Sequence, residues 1–192
     1  VVLNDYAEMR RLAKQDAPRD PATVAEYRKQ VLTLANAAKP SHLSGLGQYF
    51  DANLWMAQLG FHPGQVDADV QFGQPPKDVD AVRGRFDAAA IDGAIDKDTS
   101  PVRPSLTKTT REGATEYIWG DDDKTDAKNR SVLRPLGRGE RLAVKGDVLV
   151  WAHSTAPVND AIDASAGKKP SLAKAADVKA LMAELTKQSV YT

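Results

Sequence analysis

Glu140-Arg141-Leu142-Ala143-Val144-Lys145-Gly146-Asp147-Val148-Leu149-Val150-Trp151-Ala152-His153 decides the fold class. Two runs, Glu140 to Val144 and Val148 to His153, are rich in Leu, Val and Trp and flank Lys145-Gly146-Asp147. Branched and aromatic side chains suit a pleated surface, and a glycine-containing turn between two such runs signals a hairpin. Upstream, Ser105 to Thr110 and Ala114 to Trp119 flank Arg111-Glu112-Gly113 in the same manner. Val79 to Phe86 reads as a further strand. Strands joined by hairpins pair antiparallel.

Helical spacing occupies the ground between and before these strands. Asp87 is placed to cap a helix bearing Ala90, Ile91, Ala94 and Ile95. Thr155-Ala156-Pro157 leads into another, with Val158, Ala161, Ile162 and Ala164, and Gly167 as its stop. Nearer the start, Asn4 or Asp5 can cap a short helix with Tyr6, Met9, Leu12 and Ala13 at helical spacing. Asp20-Pro21 opens a longer helix, whose face is Val24, Tyr27, Val31, Leu34 and Ala38, and Lys39-Pro40 ends it. Ser41 to Gly47 reads as a loop. Tyr49 to Leu59 reads as a buried packed segment with Gly60 as its stop. His62-Pro63 is expected to start one more short helix, with Val66 and Val70 inward and Gly73 at its end. Pro170-Ser171 opens a helical tail with Val178, Leu181, Met182 and Leu185 on one face.

The expected architecture is α+β: an antiparallel sheet of five to six strands with helices on one face, plus an N-terminal helical annex. A chain of 192 residues suits one domain. Residues 1–76 would form the mainly helical annex and residues 77–192 the sheet-and-helix part. Arg85-Phe86-Asp87 to Ala94-Ile95-Asp96 and Ala152-His153-Ser154 to Ala161-Ile162-Asp163 share the order strand, cap, helix. That echo raises a duplicated strand–helix unit as one reading of the chain.

Composition closes several routes. The 26 basic and 26 acidic residues cancel, without the concentrated basic footprint that nucleic-acid binding requires. There is no cysteine, hence no disulfide, thiolate metal site or cysteine nucleophile. No run of 18 apolar residues exists to span a bilayer.

The chemistry-bearing residues are few. The three histidines, His42, His62 and His153, form no metal-ligand pair. His153 stands beside Ser154, with Asp160 following, but no Gly-x-Ser-x-Gly elbow presents the serine. The spacing reads as a strand-end histidine followed by a helix cap. Gly137-Arg138-Gly139 resembles the start of a phosphate loop, yet a strand follows it where a helix N-terminus is needed, so it reads as a turn. Asp121, Asp122, Asp123 and Asp126 cluster near Asn129, but Asp126 and Val132 occupy the sixth and twelfth positions, where an EF-hand needs Gly and Glu. That stretch reads as a solvated loop, with an adventitious cation site as the alternative. Asn129-Arg130-Ser131 matches a glycosylation sequon, which matters only in a eukaryotic secretory setting. Trp55, Trp119 and Trp151 read as core residues. No catalytic, cofactor-binding or metal residue is assigned.

The chain begins at Val1 and its first methionine is Met9. A cleaved signal segment, a trimmed start and an omitted start all fit. Leu59-Gly60-Phe61-His62-Pro63-Gly64-Gln65-Val66-Asp67, Gly73-Gln74-Pro75-Pro76 and Val82-Arg83-Gly84-Arg85-Phe86-Asp87 together resemble exported cell-envelope lipoproteins of actinobacteria. Leu3-Asn4-Asp5-Tyr6, Pro170-Ser171-Leu172-Ala173 and Asp177-Val178 are similar to the same group. The resemblance implies an extracytoplasmic protein tethered to the outer face of the cytoplasmic membrane by a lipid-bearing N-terminal cysteine, which this sequence lacks. It implies no activity and no functional residue. The expected function is therefore a non-enzymatic envelope protein that binds a partner protein or a lipid-like, apolar ligand. An accessory subunit of a membrane complex and a hydrolase using Asp and His153 are the rivals.

Overall fold

A computed structural model of the chain describes residues 2–24, 26, 52–74, 77–97, 106–128, 130, 134, 136–171, 174–176, 179–180 and 183–184. The strands are β1 (Val2–Asp5), β2 (Val66–Phe72), β3 (Val79–Gly84), β4 (Leu106–Arg111), β5 (Ala114–Trp119), β6 (Glu140–Lys145) and β7 (Val148–Ala152). The α-helices among the described residues are α1 (Tyr6–Ala13), α2 (Ala52–Leu59), α3 (Ala88–Lys97) and α4 (Thr155–Ser165). All seven strands form one antiparallel sheet in the order β1-β2-β3-β7-β6-β5-β4.

The hairpin of residues 140–153 lies at the heart of this sheet, because β7 is the fourth strand of seven. Its turn is Gly146-Asp147, with Gly146 at φ +60. Glycine at the first central position lets a two-residue turn follow the twist of the strands. The chain leaves β3 in mid-sheet, passes through α3, enters β4 at the far edge and meanders back to β7.

The alternation of side chains along β6 and β7 builds two cores. Leu142, Val144, Leu149 and Trp151 point to one face, where Trp55 and Leu59 of α2 and Ile91 and Ile95 of α3 meet them. Phe61 joins the same core, edge-on to Trp55 with ring centroids 5.4 Å apart. Ala143 and Ala152 point the other way, against Val158 and Ile162 of α4. Large residues fill the first interface, and small ones let α4 approach the second. At the edge, β4 carries Lys108 among exposed threonines, a pattern that discourages pairing with a further strand.

The start of the chain is fastened by buried polar contacts. Asn4 Nδ2 donates to Asp69 Oδ1 at 2.6 Å, and the Tyr6 hydroxyl donates to Asp69 Oδ2 at 3.2 Å. Arg10 donates to the Val66 carbonyl at 2.9 Å and pairs with Asp67. Asp5 caps α1, its Oδ1 accepting from the Glu8 amide at 2.9 Å.

The mixed class holds, with several departures from expectation. The sheet has seven strands rather than five or six. The helices cover both faces rather than one, with α2 and α3 opposite α4. Residues 1–76 are not merely a helical annex, since they supply β1 and β2. The helix expected from His62 to Gly73 is a single 3-10 turn, Pro63–Gln65, followed by β2. Val66 and Val70 are four residues apart, a spacing that fits both the helical and the strand period. Leu12, at helical spacing with Tyr6 and Met9, is 57 % exposed. Asp20 does cap, but the described part of its helix begins as the 3-10 turn Pro21–Thr23. The rest of that helix, the loop 41–47, Tyr49 and Phe50, and most of the tail after Pro170 lie outside the described residues.

The two strand–cap–helix units are both present, as β3–α3 and β7–α4. Their helices lie on opposite faces of the sheet, although two antiparallel neighbours related by a two-fold axis would place them on the same one. The echo is of local order, not of packing.

Gly60, at φ +71, closes α2 against α3, and a Cβ there would stand 2.3 Å from the Ala90 carbonyl oxygen. Gly113 has a similar φ of +76 but faces open space. Gly60→Ala is expected to cost about 3 kcal/mol and lower the melting temperature by roughly 6–12 °C, against about 1 kcal/mol for Gly113→Ala. Thermal unfolding followed by circular dichroism measures both. Equal losses would refute the close approach of α2 and α3.

Candidate functional site

The strongest concentration of buried charge lies where β6 begins and β7 ends. Arg141 and Ala152 are the last paired residues there, and the next step brings Glu140 opposite His153. His153 Nδ1 lies 2.5 Å from Glu140 Oε1. Neither Glu140 oxygen, nor His153 Nδ1, has a hydrogen-bond partner of good geometry among the described residues. Glu140 is 1 % exposed, whereas the His153 side chain is 24 % exposed. The dyad thus has a dry end and a wet end.

Three arginines surround it. Arg134 is buried; its Nε donates to the Arg138 carbonyl and its Nη2 to the Gly137 carbonyl at 3.0 Å. Arg134 Nη1 is buried without a hydrogen-bond partner among the described residues. Arg141 points to the opposite face of β6, donating to the carbonyls of Trp119 at 3.3 Å and Gly120 at 3.0 Å. Arg138 bridges backbone to Thr125, folding the connector between β5 and β6 on itself.

Burial dominates the acidity of Glu140. It pushes the carboxyl up to about 7, against the opposing pull of His153, Arg134 and Arg141. His153 is raised as well, chiefly by its contact with Glu140 and in spite of its own burial. The two titrate as a pair. Such a dyad can hold or pass a proton near neutral pH.

The residues singled out in the sequence have separate fates. His153 joins a carboxylate, but that carboxylate is Glu140 and not Asp160, which lies exposed beside Lys169. Ser154 stands at the N-cap of α4, yet its side chain makes no cap hydrogen bond. Asp122 supplies that bond instead: its Oδ1 accepts from the Thr155 amide at 3.0 Å and from the Thr155 hydroxyl at 2.8 Å, and it pairs with Arg141 at 2.5 Å. Asp121, Asp123 and Asp126 are exposed, and no group of three His, Asp or Glu side chains among the described residues is placed to hold a metal. Gly137-Arg138-Gly139 is connector backbone leading into β6. His62 caps the 3-10 turn, its Nδ1 accepting from the Gly64 amide at 3.2 Å. Trp55, Trp119 and Trp151 are buried in the larger core. His42, Asn129 and Ser131 lie outside the described residues.

Sequence reasoning missed Glu140 and Arg134. The register of a two-residue turn at Gly146-Asp147 places residue 140 opposite residue 153, so the dyad had a readable signal. Arg134 had none, because its contact depends on how an irregular connector folds. No helix among the described residues is long and apolar enough to cross a membrane. Comparison of the chain with family models, with curated proteins and with solved structures finds no match in any of the three.

Asp122→Ala removes the cap of α4 and one partner of Arg141. It is expected to cost about 1 kcal/mol, since caps contribute on that order and Asp122 is partly solvated. Ser154→Ala should cost less. Chemical denaturation of the two variants ranks them, and the reverse order would move the cap back to Ser154.

Proposed function

We propose that the protein is a non-enzymatic, extracytoplasmic envelope protein that binds a partner protein or an apolar ligand. One observation carries the binding part. On the α4 face of the sheet, cross-strand register aligns Leu3, Val70, Ala81, Val150 and Ala143 in one row. Helix α4 packs over β6 and β7. Away from it, Leu3, Val70 and Ala81 are half-buried. A sheet face that meets only water alternates to polar residues. A row of half-exposed apolar side chains suits contact with another apolar surface. The likeness of residues 59–67, 73–76 and 82–87 to exported lipoproteins supports the envelope location.

The accessory-subunit reading uses the same surface and differs in permanence. Stoichiometric co-purification from native membranes would distinguish it.

A photo-crosslinking residue at position 70, introduced in the native host, is expected to give one discrete adduct whose mass identifies protein or lipid. The same probe at Thr109, exposed on the same face near the opposite edge, is expected to give none. No adduct at position 70, or equal labelling at both positions, would contradict the assignment.

A further inference from the structure

We propose that the half-exposed apolar patch on β1 to β3 is the contact face of a homodimer, its two copies related by a two-fold axis that runs along β2. This inference rests on the binding face proposed above and names the partner as a second copy of this chain. The argument starts from register. Leu3 pairs with Val70 and Val70 with Ala81, while Asp5 pairs with Ala68 and Ala68 with Arg83. Directly opposed residues of an antiparallel sheet point to the same face, as do residues two apart on one strand. The side chains therefore form a block on the α4 face, with Leu3-Val70-Ala81 in one row and Asp5-Ala68-Arg83 in the next.

That block is complementary to itself. Half a turn about β2 exchanges β1 with β3 and leaves Val70 and Ala68 on the axis. Leu3 then lies over Ala81 of the partner subunit, large against small. Asp5 lies over Arg83 of the partner subunit, acid against base. Each contact occurs twice, as an isologous interface requires. Neither charge is satisfied within its own copy. Arg83 is exposed, and its side chain has no ion-pair partner among the described residues. Asp5 uses Oδ1 to cap α1, accepting from the Glu8 amide at 2.9 Å, which leaves Oδ2 for a second donor.

The layers fit as well. Two sheets stack about 10 Å apart with their strands nearly aligned, an arrangement that an axis along β2 provides. Helix α4 packs over β6 and β7, in the layer the second sheet occupies, and so flanks that sheet's β1 edge without blocking it. The opposite edge of the sheet offers no such face, since Thr107 and Thr109 of β4 are exposed and polar. The patch is only three strands wide, which places the dimer in the small, concentration-dependent class.

The test is sedimentation equilibrium of the whole chain, of Arg83→Glu, of Asp5→Lys, and of an equimolar mixture of the two variants. The native chain is expected to dimerise. Each variant alone sets like charges face to face and is expected to weaken the dimer at least about tenfold. The mixture restores both acid–base contacts in a heterodimer and is expected to recover the native affinity. A native chain that stays monomeric at every concentration overturns the proposal, as does a mixture that associates no better than its components. If Asp5→Lys fails to fold for want of its cap, Val70→Cys decides. The chain has no cysteine of its own, and position 70 lies on the axis, so mild oxidation is expected to link two copies through this residue. Thr109→Cys, on the same face near the far edge, is expected to link none. No linkage at position 70, or equal linkage at both, contradicts the dimer. A monomeric chain whose photo-crosslinker at position 70 still captures another molecule ends this inference and leaves the binding face standing; an adduct of twice the chain mass supports both.

Discussion

The pairing of β3 with β7 is the constraint on which the structure depends. Five cross-strand pairs, from Val79–Ala152 to Arg83–Val148, join a meander of β1 to β3 with a meander of β4 to β7. Val82 and Leu149 meet across this seam and face the larger core, while Val79 and Ala152 face the smaller one. A one-residue slip would exchange the two faces of β7 and set Trp151 against α4, where Ala152 now lets the helix approach. The same register carries the chain from Ala152 to His153 at the sheet's end, so the dyad is a consequence of the seam. It also commits α3 to bridging from mid-sheet to the far edge.

What was legible in one dimension was whatever local chemistry decides. Both C-terminal hairpins could be read because branched and aromatic runs flank glycine turns, and Glu112 and Gly113 do adopt the positive φ such a turn demands. Asp87 could be read as a cap, and its Oδ1 accepts from the Ala89 amide at 2.9 Å and the Ala90 amide at 3.3 Å. What was not legible was decided at long range. β1 is only four residues long, too short for a period to show, and it becomes a strand because β2 offers it partners more than 60 residues away (Asp5 with Ala68 to Val2 with Gln71). β2 could be mistaken for a helix because Val66 and Val70 stand at helical spacing, and a bulge between Val66 and Ala68 sets the two on opposite faces of the sheet. Helices on opposite faces cannot be told from helices on one face without knowing which side of β7 each meets. At the candidate site, His153 stood out by its residue type, whereas Glu140 required a register and Arg134 required the fold itself.

Elsewhere the molecule treats buried charge differently. Arg111 at the end of β4 forks onto Asp163 of α4, with Nε and Nη2 at 3.0 and 2.7 Å from its two oxygens. That paired geometry satisfies both partners and ties the edge strand to the helix. Asn4 and Tyr6 likewise satisfy Asp69, although burial still raises its carboxyl above the usual range. Glu140 has no comparable set of donors among the described residues. The contrast separates two fastenings that hold segments in place from one buried acid whose state depends on the solution around it.

The seam is tested most directly by residue-resolved hydrogen exchange under native conditions across increasing denaturant. The account predicts that the slowest amides of β3 and β7, and those of β2 and β6 beside them, share one opening free energy equal to that of global unfolding. Two separate plateaus, with β1 to β3 opening while β4 to β7 stays protected, would show two independent sheets and contradict it.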